Sequence, residues 1–144
     1  MMNKKIKDII AKKNKSKIVS LTAYSKNIAQ IIDKYVDMTL VGDSMASVLY
    51  NYNTTRKISH DAMIEHAKSV RMCVNKSLMV FDMPYNTYSD KKIALDNAKK
   101  IREATIKSVI KRDEEHRVWY VGCTRAKRNR YLMRAKIERK GYQL

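Results

Sequence analysis

A chain of 144 residues that is 44% hydrophobic, with only 3 Gly and 1 Pro, has enough apolar side chains for one folded domain and too many for a disordered segment. It is too short for a complete eight-unit α/β barrel, which needs roughly 200 residues. The net charge of +17 suggests phosphate-bearing partners, yet residues 1–18 carry 7 basic and 1 acidic side chains, residues 19–110 carry 13 and 9, and residues 111–144 carry 11 and 4, so most of the surplus lies at the two ends.

Basic-residue usage also changes along the chain: 17 Lys and 3 Arg precede residue 111, and 4 Lys and 7 Arg follow residue 110. Such a break predicts two segments, 1–110 and 111–144, of different character. No apolar run approaches the roughly 20 residues of a membrane span. The start, MMNKKIKDIIAKKNKSK, lacks the apolar core of a secretory signal, so a cytoplasmic location and no membrane partner are expected. Cys73 and Cys123 have no metal-ligand spacing and are expected to be reduced.

In chain order, Ile6, Ile9 and Ile10 recur at helical spacing among lysines and predict a basic surface helix that closes one end of the domain. Lys17 to Tyr24, KIVSLTAY, is a β-branched run and predicts the first strand. Ser25 is a candidate cap for a helix with Ile28, Ile31 and Ile32 along one face. Met38 to Asp43 predicts a second, buried strand whose apolar run breaks at Gly42, leaving Asp43 and Ser44 where the strand ends. A polar pair at the carboxyl end of a parallel strand sits where α/β folds bind ligands, although capping of the next helix is the plainer use of either residue.

Ser59 predicts the cap of a helix running to about Met72, with Met63, Ala67 and Val70 on its buried side. His60 and His66 are not at a metal-ligand spacing on a helix and are expected to pack or hydrogen-bond. Ser77 to Asp82, SLMVFD, repeats the pattern of an apolar strand ending in an acid. If the strands are parallel, Asp43 and Asp82 share one rim, a pairing suited to a hard cation such as Mg²⁺. A helix is predicted from Ser89 to about Ala104, with Ile93, Ala94, Asn97, Ala98 and Ile101 on one side, and Ile106 to Ile110 is a candidate fourth strand. Strand, helix, strand with short connections points to right-handed βαβ units.

The run from LTAY through VGDS, the Tyr52 to Thr55 loop, the M-x-x-H pattern at Met63 and His66, and the D-x-P at Asp82 and Pro84 together resemble the ketopantoate hydroxymethyltransferase family over residues 3–105. The resemblance implies an α/β chain that forms part of a (β/α)8 barrel: the first three or so βα units after an N-terminal helix, with a short helix and strand as C-terminal tail. It implies a homo-oligomer, and transfer of a hydroxymethyl group from 5,10-methylenetetrahydrofolate to 3-methyl-2-oxobutanoate, a step of pantothenate biosynthesis. Asp43 and Asp82 match Mg²⁺ ligands, and Asp43, Ser44 and Asp82 match the residues that hold the 2-oxo acid. The family's Lys-x-Glu pair on the next strand falls on Ile110 and Arg112, and its glutamate base has no counterpart here. An inactive fragment or chimera, without transferase activity of its own, is therefore expected.

A second resemblance covers Asp113 to Lys136, DEEHRVWYVGCTRAKRNRYLMRAK, which is similar to the last conserved motif of UvrD/Rep-type helicases. In this alternative the chain is a helicase remnant or basic nucleic-acid-binding module, and Arg125 is the ATP contact. No G-x-x-x-x-G-K-[ST] loop accompanies the motif, so ATP hydrolysis is not expected. Val118, Trp119 and Val121 are expected on the apolar side of a short helix.

Overall fold

The computed structural model describes residues 6–107 and the backbone of residues 119–121. In order it comprises helix α1 (Ile6–Ile10), strand β1 (Ser20–Thr22), α2 (Lys26–Ile32), β2 (Met38–Val41), α3 (Met45–Val48), a 3₁₀ turn (Thr55–Lys57), α4 (His60–Arg71), β3 (Leu78–Asp82), α5 (Lys91–Lys107) and β4 (Trp119–Val121). The strands form one parallel sheet in the order β1-β2-β3-β4. Parallel neighbours require crossovers, and the helices between the strands supply them.

Leu78, Met79, Val80 and Phe81 are all buried, so β3 is covered on both faces, as a central parallel strand should be. β1 is an exposed edge: Ser20, Leu21 and Thr22 are all open to solvent. Its ladder is much shorter than the expected Lys17 to Tyr24. The core lies between the sheet and α4, where Met63, Ala67 and Val70 pack with Val41, Met45 and Phe81. Ser59 caps α4 as expected, its hydroxyl accepting from Ala62 N–H at 3.1 Å. The cap of α5 is Asp90, which accepts from Ile93 N–H at 2.9 Å.

Three sequence expectations are corrected. Ile28 and Ile31 do not form the buried face of α2: they are 46% and 59% exposed, whereas Ala29 is fully buried. The reason is Asp33, four residues after Ala29, whose carboxylate must face the loop before β3 and so sets the inward side of the helix. Ile106 and Lys107 are not strand but the last turn of α5. No Gly or Pro interrupts this helix, and the Thr105 hydroxyl donates to the Ile101 carbonyl at 2.9 Å, which satisfies it in a buried position. The fourth strand is Trp119–Val121, expected as helix, which pairs with β3.

The junction before β3 rests on one anion. Asp33, 6% exposed, accepts from the backbone N–H of Asn75 (2.9 Å), Lys76 (2.9 Å) and Ser77 (2.9 Å) and from the Ser77 hydroxyl (2.8 Å). Thr39 of β2 and Ser77 share a further buried hydroxyl contact at 2.7 Å. Removing the acceptor strands the two buried donors of Ser77 away from water, each at a cost of about 1–3 kcal/mol, while the amides of Asn75 and Lys76 lie nearer solvent. Asp33→Ala is expected to lower unfolding stability by about 3 kcal/mol in urea titration. A loss below about 1 kcal/mol would show that water replaces the carboxylate.

Candidate active-site rim

β2 pairs with β3 from Met38↔Leu78 to Val41↔Phe81, so the next pair in the same register is Gly42 with Asp82. Asp43 follows at once. The two acids singled out from the sequence therefore stand at the carboxyl ends of adjacent, co-directional strands, both half-buried. Gly42 leaves the ladder because the chain must turn there. A Cβ on it would meet the Ser44 hydroxyl oxygen at 3.0 Å, so glycine gives that oxygen its room.

Ser44 occupies the N-cap position of α3 but makes no capping bond. Its hydroxyl instead pairs with the Tyr24 hydroxyl at 2.7 Å, which joins the end of β1 to the end of β2. Tyr24, which closes the LTAY run, thereby belongs to the site, although its local sequence marks it only as the end of a strand. His66 is a hydrogen-bonding residue, as expected: Nδ1 lies 2.6 Å from the Tyr24 carbonyl oxygen and Nε2 lies 2.9 Å from the Tyr50 hydroxyl. The Tyr50 and Tyr52 rings stack at 5.7 Å. Asn51 between them takes φ of 54°, a left-handed conformation that asparagine tolerates better than most residues. Arg56 lies over the Tyr85 ring at 4.8 Å, tying the loop after α3 to the loop after β3.

Among the described residues no group of three or more His, Cys, Asp or Glu is placed to hold a metal ion. Two carboxylates with a neighbouring hydroxyl still match the needs of Mg²⁺, which takes oxygen donors, keeps several waters and often uses only one or two protein carboxylates. On β4 the residue in register with Asp82 is Val121, so the strand brings no carboxylate to that level. Ile110, Arg112, Cys123 and the ATP contact of the helicase alternative, Arg125, lie outside the described residues.

His60 opens α4 with its Nε2 buried and unpartnered among the described residues, and its ring stands edge-on to Phe81 at 6.4 Å. Burial, and next the charge of Lys100, lowers its pKa from the ordinary 6.5, while Asp61 pulls the other way.

A family model for ketopantoate hydroxymethyltransferase matches residues 3–124, past the end of the resemblance read from the sequence and across the composition break. The 3-methyl-2-oxobutanoate hydroxymethyltransferase of Pelagibacter ubique (strain HTCC1062) is 64% identical over 110 residues, covering 76% of this chain and 43% of the relative. The enzymes of the same name from Helicobacter acinonychis (strain Sheeba) and Anaplasma marginale (strain Florida) are 43% and 41% identical, covering 70% and 69% of this chain and 37% and 36% of their own lengths. The chain thus spans less than half the length of these relatives. None of these matches supports the helicase alternative.

His60 yields a pH dependence. A histidine with a lowered folded pKa is protonated first in the unfolded chain, so its stabilising share is full above 6.5 and is lost as pH falls below that value. Melting temperature is expected to drop between about pH 7.5 and about pH 5.5 more steeply in the parent chain than in His60→Gln. Parallel curves would assign the drop to other groups.

Proposed function

Because the chain belongs to the ketopantoate hydroxymethyltransferase family, we propose that its described residues form the metal- and 2-oxo-acid-binding part of a 3-methyl-2-oxobutanoate hydroxymethyltransferase. The four parallel strands are then the opening portion of a (β/α)8 barrel. The reaction is the transfer of a hydroxymethyl group from 5,10-methylenetetrahydrofolate to 3-methyl-2-oxobutanoate, giving ketopantoate for pantothenate biosynthesis in the cytoplasm. The observation that supports this most is the common edge of Asp43, Ser44 and Asp82, built by adjacent parallel strands in fixed register.

In this assignment Asp43 and Asp82 hold Mg²⁺ through carboxylate oxygens. Bound there, the ion supplies a Lewis acid that draws charge from the oxygens of the 2-oxo acid. Ser44 orients the acid through its hydroxyl, and Tyr24 fixes the direction of that hydroxyl by occupying one of its hydrogen-bonding positions. The described residues thus bind and align, while abstraction of the substrate's proton falls to a base elsewhere in the complete enzyme. The open β1 edge, where Ile18, Val19 and Leu21 are 43%, 46% and 48% exposed, is the edge that the last strand of the closed barrel would cover.

Ligand-linked melting tests the assignment. Mg²⁺ at about 100 times its dissociation constant is expected to stabilise the parent chain by about 2.7 kcal/mol, with a further rise on adding 3-methyl-2-oxobutanoate. Asp82→Ala should remove both effects, and Ser44→Ala only the second. Identical melting with and without Mg²⁺ would overturn the metal assignment.

A further inference from the structure

The turn that joins β1 to α2 is not held by the sheet. The last described β1–β2 backbone bond runs from Ala23 N–H to the Leu40 carbonyl, so Tyr24 stands just past the ladder. Two side chains of α4 take over at that point. His66 Nδ1 reaches the Tyr24 carbonyl at 2.6 Å, and the Ser69 hydroxyl accepts from Lys26 N–H at 3.0 Å. Their spacing of i and i+3 puts both on one side of α4, where they grip the backbone on either side of Ser25.

The chemistry of the bond assigns the imidazole's hydrogens. A carbonyl oxygen only accepts, so Nδ1 carries a hydrogen and donates it to Tyr24. In the neutral ring Nε2 then accepts from the Tyr50 hydroxyl at 2.9 Å. Beyond Tyr24 the chain of contacts reaches the Ser44 hydroxyl at 2.7 Å. One half-buried imidazole therefore links the rim hydroxyl on one side to the stacked Tyr50 and Tyr52 pair on the other.

We propose that His66 is a positioning residue for the 2-oxo acid site, acting through the Tyr24 carbonyl to hold the Tyr24–Ser44 hydroxyl pair in place. It rests on the function proposed above for the identity of the acid, whereas the internal linkage stands on contacts within the chain. It touches neither carboxylate, so its influence is confined to the organic ligand and leaves the cation alone.

A variant series on the 144-residue chain separates the two bonds. Asparagine places an amide N–H near the position of Nδ1, and glutamine places its amide near the position of Nε2. With Mg²⁺ present, His66→Ala and His66→Gln are expected to weaken 3-methyl-2-oxobutanoate binding about fivefold by calorimetry, the scale of one hydrogen bond, and His66→Asn by less than about twofold. Mg²⁺ affinity should be unchanged throughout. Without ligand, long-range ¹H–¹⁵N spectra should show His66 protonated at Nδ1 and bare at Nε2, and the Tyr24 and Ser44 amide resonances should move in His66→Ala and His66→Gln but stay in His66→Asn. Equal behaviour of the Asn and Gln variants, or unmoved Tyr24 and Ser44 resonances in His66→Ala, would overturn the proposal. If the parent chain binds no 2-oxo acid, the proposed function fails, and the ligand-free spectra alone decide the positioning role.

Discussion

The register between β2 and β3 governs everything at the rim. With Val41 opposite Phe81, Asp82 arrives level with Gly42 and one residue short of Asp43. β3 is apolar on both faces and would tolerate a slip of one residue, so the alternation that resists it lies on β2, where Thr39 and Val41 are buried and Met38 and Leu40 only partly so. Polar locks at the opposite end add to this. Asp33 gathers the amides of residues 75–77, and Thr39 meets Ser77, fixing where β3 begins relative to β2. The same buried anion that starts the strand thus determines, five residues after Ser77, where its terminal aspartate stands.

Much of this was legible in the sequence for a simple reason: short apolar runs that end in an acid are local patterns, and so is the capping serine of α4, whereas Ser25 and Ser44 make no side-chain capping bond. SLMVFD became β3 almost residue for residue, and Ser59 caps α4. Asp43, Ser44 and Asp82 came out at strand ends because strand ends are where an apolar run stops. What escaped was carried by contacts distant in the chain. Ile28 and Ile31 looked like an inward face by periodicity alone, yet a buried carboxylate with several donors outranks two isoleucines in orienting a short helix. Tyr24 and His66 act through bonds to residues 20 and 42 positions away, which no periodicity encodes.

The fourth strand shows a different limit. Ile106 to Ile110 has β-branched content, but it follows a run of good helix formers, and α5 continues through Lys107. Trp119–Val121 pairs with β3 instead, and the family match likewise extends to residue 124. Composition marked a break near Ile110, whereas strand pairing depends on backbone geometry and crosses that boundary. Val121 stands in register with Asp82, so any cation held at this rim depends on Asp43 and Asp82 for its described carboxylates.

That dependence can be measured directly with Mn²⁺ as a paramagnetic substitute for Mg²⁺. In ¹H–¹⁵N spectra of the chain titrated with substoichiometric Mn²⁺, amides of residues 42–45 and of residues 82–84 should broaden together, at one concentration, and recover together when Mg²⁺ is added in excess. Broadening of one group without the other, or broadening confined to exposed carboxylates such as Asp61, Glu65 and Asp96, would contradict a shared cation site at the ends of β2 and β3.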